Sequence, residues 1–456
     1  MKVFSAIRFF CMALLGVGSL YFTAGCSTIR HARDIQKGEG ALPGERLLQP
    51  AEVGLSSNTA LTLARALEIP LAHHPQIFQA VQSVAAATAR VYQARAAYWP
   101  QIGSSAGGTR ATANAEGKQG SSSTHKFFNG SVGLDLLVYD FGKTPAMVRQ
   151  AYANLIAATE NVRAIRSDVA FSTRSTFLNL GKAIELEQVA AEAIRQNQIH
   201  LDQVRAFLEV GRRTRYDLTK SEVDLGNARL EKIKTHNDVM TARASLNRSL
   251  GLATDPGYQI LPDLSSSFTT CPADELMTRA RQNHPRLKVL QAKELAASAA
   301  VDEAIAELYP EIGLQAKYGL SGSKFPLTWN WSAALQGSLQ LFTGGRQTWR
   351  INEVVTQLRS ARAQTAEFEQ LLYEEIQTAL SQLDSSQQRL SLTDLITKQA
   401  AESLELITER YRLGAASLVE VTDAQVALTS AQAEQVRAKF DFQAAIAQLK
   451  HACGEE

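Results

Sequence analysis

The sequence has almost no net charge and no long run of lysine or arginine. Its 47 Lys and Arg residues are offset by 45 Asp and Glu residues, which leaves a net charge of +2 at pH 7. A nucleic-acid-binding protein of this length usually has a basic total or a basic face that contacts phosphates. The charge pattern therefore argues against nucleic acid as a partner.

Cysteine is also scarce, with four residues in a chain of 456. Two of them lie before residue 27, and the other two, Cys271 and Cys453, are far apart in sequence. Two cysteines cannot form a disulfide framework or a cysteine-rich metal site. The chain also lacks a Cys/His/Asp cluster at metal spacing, a nucleophile elbow and a phosphate-binding loop. We therefore predict that it is not an enzyme and holds no metal or organic cofactor.

No apolar run of about 20 residues occurs after residue 26, so no helix of the mature chain is predicted to cross a bilayer alone. If the mature chain enters a membrane, it must do so with strands, because only helices and closed barrels satisfy their backbone groups in lipid.

The amino terminus has the layout of a secretory signal, which we predict to span residues 1–25. Positive residues come first, then an apolar run, then small residues up to Cys26. The ending Thr-Ala-Gly-Cys resembles the lipobox of bacterial lipoproteins, although Thr23 stands in the place of the usual Leu. We predict that Cys26 carries an amino-terminal lipid, with ordinary cleavage and a plain thiol as the alternative. Ser27 favours the outer membrane, because an Asp after the Cys favours inner-membrane retention.

The remainder of the chain is a duplication, which is visible as short motifs that recur at two constant offsets. A single deletion of about seven residues accounts for the change of offset. We interpret the recurring histidines as packing residues at helix starts rather than as ligands. The recurring pairs, at offsets of 210 and then 203, are His74-Pro75 with His284-Pro285, Trp99-Pro100 with Tyr309-Pro310, Gly142-Lys143 with Gly345-Arg346, Gly211 with Gly414, and Gly251 with Gly454.

The predicted repeats span residues 58–251 and 274–454, with one linker at 26–57 and another at 252–273. Each repeat is predicted to contain a helix, two strands, a long helix, a turn and a second helix. We place the strands at about 101–113, 126–140, 311–321 and 330–342, and the long helices at about 144–210 and 347–412.

The strands are predicted from alternation of apolar and polar residues. From Trp331 to Leu341 every second residue is apolar or small, and the residues between them are mostly Ser and Gln. The long helices are predicted from a heptad pattern and from the near absence of Gly and Pro. At about 1.5 Å per residue each would be on the order of 100 Å long, so we expect them to lie side by side in an elongated coiled coil.

Four strands per chain cannot close a membrane barrel, for which about eight is the known minimum. If these strands lie in lipid, three chains would supply twelve strands around a polar lumen. Aromatic residues at the strand ends fit interfacial girdles, with the core of a soluble protein as the alternative: Tyr98, Trp99, Tyr139, Phe141, Tyr309, Trp329 and Phe342. The predicted fold class is mainly α with a membrane β-barrel portion.

The order of these motifs resembles the outer-membrane efflux proteins of the TolC family over about residues 58 to 454. The matching motifs are the Pro-Ile-Gly-like strand starts, the strand ends Tyr-Asp-Phe-Gly-Lys and Phe-Thr-Gly-Gly-Arg, and the turns that contain Gly211 and Gly414. The resemblance implies a homotrimer with a twelve-stranded barrel on a twelve-helix periplasmic tunnel, and an equatorial belt that includes the linker at 252–273. It also implies outer-membrane lipid, a periplasmic adaptor protein and an inner-membrane transporter as partners.

The resemblance further assigns a periplasmic gate to the helical turns. It places an aromatic gate residue at Tyr411 and gate acids at Asp217, Glu420 and Asp423, with solvated surface charges as the alternative. The family's gate Arg falls at Ala416, so Arg213 or Arg215 would have to replace it, or the mouth is looser. The residues of the turns that would dock an adaptor are Gly211, Arg212, Arg213, Thr214, Arg215, Leu413, Gly414 and Ser417.

The same resemblance motivates a disulfide between Cys271 and Cys453, because the last helix of each repeat would return to the equatorial belt. The function it implies is the exit duct of a tripartite efflux pump. A type I protein secretion channel and a periplasmic coiled-coil scaffold without a pore are the alternatives, and the sequence does not identify the transported substrate.

Overall fold

The computed structural model describes residues 28–29, 32–36, 46, 48–56, 59–114, 122–211, 213–261 and 272–455. Cys26, Arg212 and Cys271 lie outside the described residues. The lipid anchor on Cys26 and the disulfide between Cys271 and Cys453 therefore stay predictions.

The two repeats have the same order of elements, except for a short strand at the start of the first. The first contains β1 (Ala60–Thr62), α1 (Leu63–His73), α2 (Pro75–Arg95), β2 (Gln101–Asn114), β3 (Ser122–Tyr139), α3 (Lys143–Glu209) and α4 (Arg215–Leu250). A short strand β4 (Gln259–Leu261) follows and pairs in parallel with β1. The second contains α5 (Ala273–Asn283), α6 (Pro285–Ala306), β5 (Glu311–Gly322), β6 (Thr328–Ser338), α7 (Arg346–Arg412) and α8 (Leu418–Ala452).

The four long strands form one antiparallel sheet in the order β2-β3-β5-β6. Residues opposite one another in register share a face of the sheet. One row across the sheet is Ser104, Val132, Tyr318 and Trp331, and the next row, on the other face, is Ser105, Ser131, Gly319 and Asn330. The sheet therefore has one mainly apolar face and one mainly polar face.

The helices follow the same lateral order as the strands. Next to the sheet, α3 packs between α2 and α6, and α6 packs against α7. Farther from the sheet, α3 packs between α4 and α8, and α8 packs against α7. The chain is thus a strip, whose first-repeat edge is formed by β2, α2 and α4 and whose second-repeat edge is formed by β6 and α7. Among the described residues, no helix combines the length and the apolar character needed to cross a bilayer.

The apolar core lies around the middle of the long helices, in two clusters that correspond to the two repeats. The first cluster joins α1, α3, α4 and the β1–β4 pair around Phe177, Leu246 and Tyr258. The second joins α5, α7 and α8 around Leu276, Ile376 and Leu449. Cys453 belongs to the second cluster and is buried.

Three details of the fold differ from the sequence prediction. The strand placed at about 126–140 begins earlier, at Ser122, which pairs with Asn114. The strand placed at 330–342 ends at Ser338, because Ser338 pairs with Glu311, the first residue of β5. Beyond that pair, β5 has no further residue to hold the neighbouring strand in the ladder. The sequence also gave no sign of β1 and β4, since three-residue strands are too short to show alternation.

The one glycine within α3 allows α8 to approach closely. A Cβ at Gly181 would lie 2.6 Å from Cε1 of Phe440, closer than non-bonded carbons can pack. We expect Gly181→Ala to destabilise the fold by about 1–3 kcal/mol through overpacking, measured as a lower midpoint of thermal unfolding. Phe440→Leu in the same chain should recover part of this loss, because it removes the ring that clashes with the new Cβ. A double-mutant cycle measures this recovery. Purely additive destabilisation by the two substitutions would contradict this account.

Candidate functional site at the two helical turns

The two long hairpins, α3–α4 and α7–α8, reverse direction in turns of the same construction. Gly211 has φ +71° and Gly414 has φ +77°, in the left-handed region that L side chains rarely adopt. In the second turn, the Gly414 and Ala415 amides donate to the carbonyls of Tyr411 and Arg410 at 3.1 and 2.8 Å. These bonds satisfy carbonyls at the end of α7 that would otherwise lack partners.

Each turn passes into the next helix through a capping box. The Asp217 amide donates to Thr214 Oγ1 at 3.3 Å, and the Thr214 amide donates to Asp217 Oδ2 at 3.0 Å. The same pair of bonds joins Ser417 and Glu420, at 3.3 and 3.0 Å. Two of the acids that the sequence assigned to a gate therefore also hold the starts of α4 and α8.

Tyr411 lies at the centre of the contact between the two turns. Its side chain is buried, at 2% exposure, in a cluster with Val204 of α3 and with Leu418 and Val421 of α8. The Phe207 ring lies 6.3 Å from the Tyr411 ring, centroid to centroid. Burial raises the pKa of the Tyr411 phenol, and no hydrogen-bond partner of its Oη lies among the described residues.

Arg213 connects the first turn to this aromatic residue of the second. Its guanidinium carbon lies 4.0 Å from the centroid of the Tyr411 ring, well within the range of a cation–π interaction. Arg215, the other candidate for the missing arginine, is exposed at the first position of α4. The structure therefore brings Arg213, and not Arg215, onto the aromatic residue of the predicted gate.

The three acids have different environments. Glu420 is exposed, and hydrogen bonds from the backbone and side chain of Ser417 lower the pKa of its carboxyl. Asp423 is exposed one helical turn farther along α8, whereas Asp217 is partly buried on α4. Glu420 and Asp423 are three residues apart on one helix, so their side chains lie on neighbouring parts of the same surface.

His200 is a member of this site that sequence reasoning missed. Its ring lies 5.7 Å from the Tyr411 ring, and its Nε2 is buried without a hydrogen-bond partner among the described residues. Burial lowers the pKa of His200, although Asp224 opposes the effect. The residue is 211 positions from Tyr411 in sequence, so only the tertiary structure reveals the contact.

The remaining residues of the turns form an exposed surface. Leu413 and Gly414 project from the second turn, with Leu413 84% exposed, and Gly211 and Thr214 are exposed on the first. Nowhere in the described part of the chain do three or more His, Cys, Asp or Glu side chains form a group that could hold a metal ion.

Comparison with known proteins gives concordant similarities in sequence and structure. A family model described as outer membrane efflux protein matches residues 66–252 and 276–455. The outer membrane efflux protein BepC of Brucella suis is 24% identical over 370 residues, covering 79% of this chain and 78% of that protein. The two matched ranges correspond closely to the two repeats.

Solved structures of similar shape include outer-membrane channels. The structure of CusC superposes with a TM-score of 0.79 at 19% identity and covers 88% of this chain and 94% of CusC. The MtrE channel of Neisseria gonorrhoeae, solved in its open state, gives a TM-score of 0.76 at 17% identity and covers 86% and 89% of the two chains. At this level of identity the likeness establishes the fold.

Proposed function

Because the chain belongs to the outer membrane efflux protein family, we propose that it is a trimeric outer-membrane channel that serves as the exit duct of a tripartite efflux pump. Its place is the outer membrane. The observation that carries the proposal is the strip itself, which has two unlike open edges and a sheet with one apolar and one polar face. We expect transport and no enzymatic activity.

The sheet faces support a membrane location for the strands. Exposed side chains on the apolar face include Trp331 and Leu335, at 69% and 70% exposure. A lipid-facing surface accounts for such exposure, and the polar face would then line a water-filled lumen. The seven strand-end aromatics assigned to interfacial girdles are all exposed, as residues at the level of lipid headgroups should be.

The edges of the strip support a ring of identical chains. On α4, Tyr216, Val223 and Leu230 are exposed and spaced by seven residues, as are Ile233 and Met240. On α7, at the opposite edge, the exposed apolar residues in the last three heptads include Leu392, Leu395, Ile396 and Leu406. Heptad-spaced apolar stripes are the pattern of helices that pack against partners. Contact between unlike edges is heterologous and forms a closed ring when the rotation closes, and three chains would give twelve strands.

The turns are proposed as the periplasmic mouth of the channel and as the surface that docks an adaptor protein. Three copies of Glu420 and Asp423 around one axis would form a negatively charged constriction that favours cations. The docking surface would be formed by Leu413 and Gly414 of the second turn together with Gly211, Thr214 and Arg215 of the first. An inner-membrane transporter would supply the energy and select the substrate.

Planar-bilayer recording of the purified, full-length protein tests the proposed function. We expect discrete channel conductance and a trimer that migrates intact without heating. A trimer without conductance would instead support a coiled-coil scaffold without a pore. The transporter that co-purifies would distinguish an efflux pump from a type I secretion system.

We expect the Arg213–Tyr411 contact to stabilise the closed mouth. Arg213→Ala removes a cation–π contact of about 0.5–2 kcal/mol per chain. It should therefore raise the fraction of time that the channel is open, measured by single-channel recording in planar bilayers. Arg215→Ala is the matched control, because it removes an exposed charge from the same turn without changing the Tyr411 contact. Equal effects of the two substitutions would show that the stacking has no part in closure.

A further inference from the structure

Each repeat contains a joint at which two helices meet at a His-Pro pair. In the first, α1 ends and α2 begins at His74-Pro75, and in the second, α5 ends and α6 begins at His284-Pro285. The glycine that follows the last helix of each repeat packs against its joint. A Cβ at Gly251 would lie 3.6 Å from Cδ of Pro75, and a Cβ at Gly454 would lie only 2.8 Å from Cα of His284.

The two joints differ in the hydrogen bonding and the exposure of the histidine that precedes the proline. In the first joint, Nδ1 of His74 accepts a hydrogen bond from the Gln76 amide at 3.3 Å, and the side chain is partly exposed. In the second joint, His284 is only 7% exposed, and no partner of its Nδ1 lies in the described part of the chain. A buried polar atom without a partner costs free energy, and the first joint also has one, because Nδ1 of His73 is buried without a partner among the described residues.

A cavity of about 270 Å³ lies beside His284 and holds a second histidine, His451 of α8. Nδ1 of His451 lies 3.2 Å from Ser167 Oγ, and its ring stacks on Phe171 with centroids 4.6 Å apart. In the first repeat, the residue at the matching offset of 203 is Arg248, so the first joint has no equivalent of this histidine. His451 is therefore the histidine that only the second joint has, whereas the first joint contains His73 and His74, and burial lowers the pKa of His74.

The charged groups that face the cavity come from all four packed helices. Asp168 of α3 pairs with Arg286 of α6 at 3.2 Å, and its other oxygen lies 3.5 Å from Nε2 of His451. Glu375 of α7 also lines the cavity, and burial raises the pKa of its carboxyl. The Asp168 carboxylate thus interacts with both Arg286 and His451, and no carboxylate among the described residues forms an ion pair with His284.

We propose that the second-repeat joint is an acid-sensitive contact, at which proton uptake by His284 and His451 separates the end of α8 from the α5–α6 kink at a higher pH than the first-repeat joint opens. The geometry that points to this is a buried imidazole without a partner among the described residues, a second imidazole across a small cavity, and a close contact between Gly454 and His284 that leaves no room for a Cβ.

The direction of the pH dependence follows from the environment of the imidazoles. Burial, with His451 and Arg286 nearby, lowers the pKa of His284 from 6.5 to about 4, and burial also lowers the pKa of His451. A histidine whose pKa is lowered in the closed joint contributes its full stability above pH 6.5 and loses it progressively toward pH 4. From His284 alone, the opening equilibrium should rise about 30-fold between pH 7.5 and pH 5.

Hydrogen–deuterium exchange of the intact, full-length protein in detergent tests the proposal. Peptides from residues 276–290 and 446–455 report the second joint, and peptides from 66–80 and 243–252 report the first. Their ratio within one sample cancels the effect of pH on chemical exchange. We expect the second joint to lose more protection than the first at pH 5 compared with pH 7.5, with a factor of up to about 30 from His284. An unchanged ratio would overturn the proposal.

Three variants identify the groups responsible. His284→Gln together with His451→Gln should abolish the excess loss of protection in the second joint, whereas His74→Gln, the matched substitution in the first joint, should not reduce it. If the double variant does not assemble, Asp168→Asn provides a second test. It removes the carboxylate that favours protonated His451, so opening should begin at a higher pH. A pH dependence that survives the double variant, or that is the same with Asp168→Asn, would refute the assignment.

Discussion

Aspartate at both Leu230 and Ile233 is expected to abolish the trimer, so that the protein migrates as a monomer. Both side chains are about two-thirds exposed in one chain, at 66% and 67%, and lie on the apolar stripe of α4. In a ring of chains this stripe would be covered by the α7 stripe of a neighbour. An unpaired carboxylate buried there costs several kcal/mol, and the cost is incurred at each of three interfaces.

The test is the size of the purified variant by light scattering, together with its migration in gels without heating. Glu231→Lys is the matched control, because it also changes the charge by two units and Glu231 is exposed on the same helix outside the stripe. This control should remain trimeric. A trimer of normal stability in the Leu230 and Ile233 variant would show that this edge of the strip does not form the subunit contact.

Neutralising the acids of the mouth, with Glu420→Gln and Asp423→Asn together, is expected to remove most of the cation selectivity of the channel. Three copies of each place up to six carboxylates near one axis, and the Debye length of about 8 Å at physiological salt screens them only partly. Such a ring attracts multivalent cations, so block by divalent or trivalent cations from the periplasmic side should also disappear.

These two substitutions remove the negative charges of the mouth and leave the fold of the turn unchanged. Gln at position 420 retains the oxygen that accepts the capping hydrogen bond from Ser417, so the start of α8 should remain intact. Glu311→Gln and Lys317→Met change the polar face of the sheet, where the lumen is wide, and should alter selectivity and block much less. Wild-type selectivity in the double variant would place the constriction at other residues, even though the fold is that of the family.

Much of the architecture could be predicted from local patterns in the sequence. Alternation from Trp331 onward indicated the strand β6, and the glycines at 211 and 414 indicated the two turns, because each signal depends on residues that are neighbours in the chain. The length of each strand or helix, by contrast, depends on the elements with which it pairs or packs. The end of β6 at Ser338, for example, depends on where β5 begins.

The candidate site was predictable in composition but not in its contacts. Thr214-x-x-Asp217 and Ser417-x-x-Glu420 are capping-box sequences, so the structural role of these acids was available from the sequence and was missed. The stacking of Arg213 on Tyr411 joins residues 198 positions apart, and no local pattern specifies such a contact. The same holds for the two histidines of the second-repeat joint.

The two unlike edges of the strip have a genetic consequence if three chains close into one ring. Every chain then supplies one edge to each of its two neighbours, so a single defective edge leaves a seam open in the whole assembly. In a cell that makes equal amounts of normal and defective subunits, only about one ring in eight would contain no defective chain. Alleles that damage an edge should therefore behave as dominant, whereas alleles that prevent secretion of the chain should be recessive.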